Sequence, residues 1–512
     1  MGYKISNLIK ILCPVSACVL MSVACTGNFE ELNTHPTDLD PDQMSSTERV
    51  GTLLPTLTYL LAPQQENQSQ MIDQIIFGQL GGYYSCGNTW EGVNIATYNP
   101  SDKYVAPPFN DILPTFYSNY FNIKEVTGGE GNVFLLANVL RAGIMLRAAD
   151  TYGPIPYSKI DGGAFEVPYD SLEDLYPEMI NDLSDAIRTL EGMRETVSSD
   201  LAQYDILFGG DFGKWLQFAN SLKFRMAVRM SSMDVDFAKT AMQEAMTSGM
   251  LLDNADNASL PTSDNPIFKA TDDWTDMAVS STITTYMNGY NDPRMPFYFT
   301  ESTQEGKKYH GHPLGRSDGK LAKGTYSLPK LTASSPLLVF NAAESYFLMA
   351  EAALKGWISG GDSAAKDYYE TGIRKSMEQW GAAIGDYLSV QAPGQVTYQD
   401  PLTSVNGNLT LPAVSWDAYS NENDHLWQIL TQKYIANFMI GLESWCDFRR
   451  TGYPVMFASV RDMGNIGSRQ MRRLPYPESE RANNTANYQQ AVAENFGGRD
   501  VATVDLAWAK KD

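Results

Sequence analysis

The feature that most constrains this chain is a series of long segments whose apolar residues recur at helical spacing. Residues 132–149, NVFLLANVLRAGIMLRAA, are apolar nearly all round, which predicts a helix buried on every side. Residues 171–193 carry Leu172, Leu175, Ile180, Leu183, Ile187 and Leu190 at mostly three- and four-residue steps. Further helices are expected over 212–231, 235–249, 340–357, 363–381 and 426–449. In 340–357, Phe340, Phe347, Ala350, Leu354 and Trp357 share one stripe. The order is helix, short link, helix, and alanines beside bulky aromatics allow close antiparallel packing. The pattern reads as a mainly α, tetratricopeptide-like scaffold of helical hairpins, interrupted at about 194–211 and 250–339.

Two stretches break the helical pattern. Residues 63–131 and 250–339 are rich in Gly, Asn, Asp, Pro and Tyr and are expected to be long, irregular insertions. Loops of that length set on a rigid scaffold are commonly binding loops.

Charge narrows the partners. The 512-residue chain has a formal net charge of −22. Such a chain repels nucleic acid and anionic headgroups, which leaves neutral ligands. Aromatic residues make up 11%, with 28 Tyr and 9 Trp, enough to supply stacking surfaces as well as core.

The N-terminus reads as an export signal. Lys4 and Lys10 precede an apolar run from Ile11 to Ala24, shorter than a spanning helix requires. The run ends at Cys25 in SVACTGNFEELNTHP and passes into a polar, acidic tether. Cys18, in VSAC, fits the usual order of a lipidation signal better, but cleavage there leaves VLMSVA on the mature chain. Cys25 is therefore preferred as the lipidated residue, with residues 1–24 removed as signal and 25–512 forming one domain. Loss of Lys4 and Lys10 takes the formal charge from −22 to −24. Cys86 and Cys446 then remain, and sequence leaves open whether they pair.

Several catalytic signatures are missing: there is no H-E-x-x-H, no P-loop and no G-x-G-x-x-G on a strand–helix turn. His310 and His312 in HGH have no third metal ligand nearby and read as a solvated loop. In ESWCDFRRTGYP, Glu443, Asp447, Arg449 and Arg450 read as ion pairs at a helix end. DTYGPIPYS reads as an extended turn imposed by Pro154 and Pro156.

Seven segments in order carry a family resemblance: FEELNTHPTDLD after Cys25, RAADTYGPIPYSK at 147–159, KWLQFANSLKFRMAVR at 214–229, AESYFLMAEAALKGW at 343–357, YYETGIRKSMEQWG at 368–381, TQKYIANFMIGLESWCDFRRTGYP at 431–454 and RRLPYPESERANNTANY at 472–488. The chain resembles the SusD/RagB family of outer-membrane nutrient-binding lipoproteins. The resemblance implies a SusD-like fold and a surface-exposed, lipid-anchored protein of a Gram-negative outer membrane. It implies a partner, a SusC-like TonB-dependent transporter, over which the protein acts as a hinged lid. The cargo it implies is oligosaccharide, or peptide in RagB-like members, with no enzymatic activity and no cofactor. A glycoside hydrolase on the same scaffold is the reading from another class, because two of 60 acidic residues could pair.

Sugar capture needs flat apolar faces and fixed amides or carboxylates. GGYYSCGNTWEGVNIATYN, 81–99, offers Tyr83, Tyr84, Trp90 and Tyr98 beside Asn88, Glu91 and Asn94, with Trp90 foremost. The stretch 268–299 offers Trp274, Tyr286 and Tyr290 to complete an aromatic arc, with Asp272, Asp273 and Asn291 as acceptors, while Asp292 and Arg294 fix the NDPRMP turn. Asp272, Asp273 and Asp276 also form a possible calcium set, though not at EF-hand spacing.

Overall fold

Polar caps set where the helices begin. The computed structural model describes residues 45–88, 92–164 and 166–510. The signal segment, Cys25, its tether and Trp90 lie outside the described residues. Ten helices of ten or more residues form the frame that positions the site, leaving aside a twelve-residue helix near the C-terminus: α1 Leu113–Thr127, α2 Gly131–Tyr152, α3 Leu172–Glu191, α4 Phe212–Met230, α5 Val235–Ser248, α6 Ser281–Tyr290, α7 Ala342–Leu354, α8 Gly361–Gln379, α9 Glu422–Ala436 and α10 Gly441–Thr451. Ser171, Asp211, Asp234, Asn341 and Asn421 each accept a backbone N–H from the first turn of the helix they precede.

The helices pack as consecutive pairs: α1 on α2, α2 on α3, α3 on α4, α4 on α5 and α7 on α8, with α9 closing over α7. The apolar helix expected at 132–149 is α2, buried along most of its length. Three short antiparallel strand pairs complete the frame. β1 Tyr84–Cys86 pairs with β3 Met277–Val279, β2 Ala258–Leu260 with β4 Leu337–Phe340, and β5 Gly394–Gln399 with β6 Asn406–Leu411. Residues from 50 onward form one compact unit; in the five described residues ahead of them, Ser45 meets the Glu48 carboxylate through its N–H and hydroxyl.

Three expectations change in detail. The segment 340–357 begins as strand, because Leu337–Phe340 pairs with β2 and Asn341 caps the helix behind it. The segment 426–449 is two helices. The chain turns between them at Met439, with φ +81°, and packs Gly441 so tightly that a Cβ there would lie 2.4 Å from the Phe77 carbonyl oxygen. The stretch 63–131 is far from irregular, since it holds α1 and a π-helical run, Gln70–Gly78.

Ion pairs bind the helices at the centre. Arg225 grips Glu344 with two 2.8 Å bonds, and Arg229 joins Asp150 at 2.5 Å and Glu443. Lys433 meets Asp447 at 2.9 Å, and Arg450 holds Glu351 through both its terminal nitrogens, at 2.5 and 2.8 Å. Burial pushes Glu443 up, yet Arg225 and Arg229 hold it below the ordinary carboxylate value. Arg449 donates to the carbonyls of Asp150 and Arg472 and stacks 3.6 Å over Trp445. The ESWCDFRR segment is thus a structural hub, as its pattern suggested. Cys86 and Cys446 are separate, buried thiols; burial lifts Cys86 to about 12.

Candidate functional site

The two aromatic stretches singled out in the sequence are neighbours in space. β1 and β3 align Tyr84 with Val279, Ser85 with Ala278 and Cys86 with Met277. Past the strand ends, the Gly87 N–H donates to the Asp276 carbonyl at 2.9 Å. Asn88 and Trp274 therefore emerge from adjacent ends of one ladder.

Four of the residues expected to present a stacking platform are core instead. Tyr83, Tyr84, Tyr286 and Tyr290 are buried. Tyr83 donates its hydroxyl to the Tyr434 carbonyl at 2.6 Å and stacks on the Tyr434 ring at 4.9 Å. Tyr286 donates to Val455 at 3.0 Å and Tyr290 to Pro412 at 2.8 Å. The phenols of Tyr83, Tyr286 and Tyr290 each satisfy a backbone carbonyl from inside, and the Tyr84 hydroxyl is buried without a partner, so all four rings pack against other side chains and away from solvent. Tyr98 is buried too, but its hydroxyl accepts the Ser459 N–H at 3.0 Å, and Asn94 caps a short turn through Thr97. The arc reduces to half-buried Trp274, half-buried Asn88 and exposed Asp273, together with Trp90 outside the described residues.

Trp274 ends a second π-helical turn, Lys269–Asp273. The next residue, Thr275, has φ +57°, a costly conformation for a β-branched side chain. It is held by Leu321, whose N–H donates to the Thr275 carbonyl at 2.8 Å. Of the possible calcium set, Asp272 faces Lys323 at 3.0 Å and Asp276 faces Gln70 at 3.3 Å. No group of three or more His, Cys, Asp or Glu able to hold a metal occurs among the described residues.

HGH is not a solvated loop. Gly311 lies so close to the Ser280 backbone that a Cβ would come 2.2 Å from its carbonyl oxygen, and this approach buries both flanking histidines. His312 Nδ1 meets Ser85 Oγ at 2.8 Å, and its Nε2 meets Asp318 Oδ2 at 3.3 Å. Arg316 joins Asp318 at 2.8 Å and Asp400 at 2.5 Å, and Tyr326 donates to Asp400 at 2.7 Å. Burial lowers the His312 pKa, so the ring is neutral; burial raises Asp318, but His312 and Arg316 bring it below its ordinary value. Serine, histidine and aspartate stand in hydrolase order, but Ser85 has no exposed surface and its hydroxyl also faces the Pro313 carbonyl at 3.0 Å. No acyl group could reach it, and the chain of bonds is a tie between loops.

That tie belongs to a wider lacing. Asp318 and Gly319 N–H groups donate to the Gly87 carbonyl, Val460 to Leu314, and Met463 to Thr97. Four segments, 85–88 with 92–99, 270–276, 311–323 and 457–464, are thereby held together. On this face Val93, Val460 and Met463 are 41, 48 and 48% exposed, and Met463 lies within 3.3 Å of where a Cβ on Gly92 would be. Sequence reasoning missed the 457–464 segment and Asp400, which have no local signature and gain meaning only through contact.

A helical frame carrying such a laced loop face defines a class that comparison makes explicit. The model of the SusD-like family, described as SusD and RagB outer membrane lipoprotein, matches residues 31–509, and the chain belongs to this family. A SusD homologue from Bacteroides uniformis is similar at 35% identity and TM-score 0.84, covering 90% of this chain and 99% of its own. A SusD-like protein from Bacteroides thetaiotaomicron has 33% identity, the same TM-score and the same coverage. A chitin-binding SusD homologue from Flavobacterium johnsoniae has 28% identity and TM-score 0.82, covering 91% of this chain and 99% of its own. Comparison with curated protein sequences returns no match.

Proposed function

We propose that this protein captures oligosaccharides at the outer-membrane surface and delivers them, as a hinged lid, to a SusC-like TonB-dependent transporter. The observation that carries the reading is the laced loop face, whose segments carry exposed Val93, Val460 and Met463 and half-buried Trp274 and Asn88. Apolar side chains there suit the C–H faces of sugar rings, and Trp90 supplies the stacking ring. The chitin-binding relative supports a glycan cargo. Cys25 carries the lipid anchor, and the acidic tether behind it leaves the lid free to swing. In this reading the protein acts by binding and not by turnover; the burial of Ser85 in the Ser85–His312–Asp318 set supports a structural role for that set.

A peptide cargo is the second reading, because apolar side chains such as Met463 serve peptide side chains equally well. The test is binding of the purified protein to neutral polysaccharides, acidic polysaccharides and a mixed peptide pool. Retention of a glycan class supports the proposal. Binding of peptide alone replaces it with the second reading, and turnover of a glycan, abolished by one carboxylate substitution, replaces both.

A further inference from the structure

A pocket of about 250 Å³ lies between α6, the 305–310 segment and β5. It is smaller than the roughly 300–1,000 Å³ that drug-sized ligands occupy, and its scale suits a single sugar ring. Its polar lining has an unusual bias. Both amide hydrogens of Asn288 are used, on the carbonyls of Thr284 at 2.7 Å and Tyr309 at 2.9 Å. The Gln399 amide nitrogen is engaged by the carbonyls of Asp400, Thr403 and Val405 at 3.0–3.4 Å. Carbonyls cannot donate, so they fix which end of each amide is nitrogen. What Asn288 and Gln399 offer a ligand is oxygen.

The hydroxyls are spent in the same way. Thr284 donates to the Ser280 and Ser281 carbonyls, Thr285 to Ser281 at 2.7 Å, and Thr397 to Asn408 Oδ1 at 2.8 Å. Each threonine presents lone pairs. Deeper in the pocket, His310 is only 9% exposed, and its Nε2 is buried with no partner in the protein. An unpartnered buried polar atom is costly, and a ligand group reaching Nε2 removes that cost. Burial holds the His310 pKa low, so the ring brings no positive charge. Exposed Glu305 and Lys307 add one charge of each sign to the lining.

We propose that this pocket is a sugar-ring subsite that selects for hydrogen-bond donors: it admits a neutral or amino-substituted ring and rejects a ring carrying a carboxylate. Several sugar hydroxyls, or an ammonium, each give a hydrogen to a waiting oxygen. A carboxylate brings only acceptors, and desolvating it against these oxygens leaves it unpaired. The inference rests on the glycan-capture reading and adds the chemical class that the site accepts.

The experiment compares neutral oligosaccharides with their uronic-acid counterparts by calorimetric titration of the purified protein. It is run at about 1 M NaCl, where the Debye length is about 3 Å, so the overall negative charge of the chain no longer decides the result. Neutral members should bind at least about tenfold more tightly than uronates, a difference of about 1.4 kcal/mol. Gln399→Lys, an exposed change that adds a donor, should narrow that ratio by strengthening uronate binding. His310→Phe should weaken neutral binding about tenfold with an unchanged circular dichroism spectrum. Uronates matching neutral sugars at high salt would overturn the proposal, as would a ratio that Gln399→Lys leaves unmoved. If Trp90→Ala abolishes glycan binding while both pocket variants bind as wild type, capture stands and the subsite falls. If no saccharide binds, both fall.

Discussion

Two polar networks sit in this molecule, and they do different work. The hub formed by Arg225, Arg229, Glu344, Glu443, Asp150, Lys433, Asp447, Arg450 and Glu351 is buried and joins α2, α4, α7, α9 and α10. The loop tie formed by Ser85, His312, Asp318, Arg316, Asp400 and Tyr326 lies beneath a face with exposed apolar side chains. In the hub every charge has an opposite charge, so no member can leave without stranding another. In the tie the central histidine is neutral and hydrogen-bonded at both ends, and one partner, Asp318, is partly exposed. The hub holds helices that must not move relative to one another; the tie sets the shape of a surface.

The largest effect should come from breaking the hub. Arg229→Met leaves Asp150 and Glu443 without their shared guanidinium, at a cost of about 3–5 kcal/mol, read as a shift in the denaturant midpoint. A loss under about 1 kcal/mol would mean that the hub is not what joins the helices. Gly311→Ala should come next, because its methyl would press on the Ser280 carbonyl; overpacking of this kind costs about 1–3 kcal/mol. It should also weaken ligand binding, as the hub variant at a temperature below its unfolding should not.

The third prediction is a pH dependence. The His312 and His310 pKa values are lowered by burial, so on acidification the unfolded chain takes up protons that the folded chain refuses. Stability should therefore fall as pH drops below about 6.5, the ordinary histidine value. His312→Asn should flatten part of that slope. Asp318, lowered in the fold, adds a further loss at still lower pH as it becomes protonated. A slope unchanged in the variant would break the assignment of His312 as a buried neutral group.

The smallest effects on stability should separate core aromatics from face aromatics. Tyr83→Phe removes one buried hydrogen bond, costing about 1 kcal/mol, and should leave affinity untouched. Trp90→Ala should lower ligand affinity about tenfold, about 1.4 kcal/mol, with stability held within about 0.5 kcal/mol. Affinity lost in Tyr83→Phe and kept in Trp90→Ala would invert the reading of which aromatics face the ligand.

The helical frame was legible because it is local. Periodic leucines in 171–193, the apolar run in 132–149 and polar caps such as Ser171 and Asn341 act within a few residues of one another. Where distant chain intervened, local pattern failed. Nothing near Gly441 announces that Phe77 will press on it and split 426–449, and nothing near Phe340 announces its pairing with Ala258. The tyrosines show the same limit: a Gly-rich context argued for surface rings, but carbonyls of Tyr434, Val455 and Pro412 draw their hydroxyls inward.

By itself, the sequence determined that this chain is a helical scaffold with long insertions and, through seven ordered motifs, the SusD-like family. Helical periodicity and motif spacing are properties of neighbouring residues, so one strand of text contains them. Tertiary structure alone decided which side chains are buried and which are exposed. The β1–β3 pairing joins stretches nearly two hundred residues apart, His312 becomes a buried tie, and the engaged amide nitrogens of Asn288 and Gln399 leave their oxygens as acceptors. Burial and hydrogen-bond saturation depend on what arrives from elsewhere in the chain, and no local pattern records that.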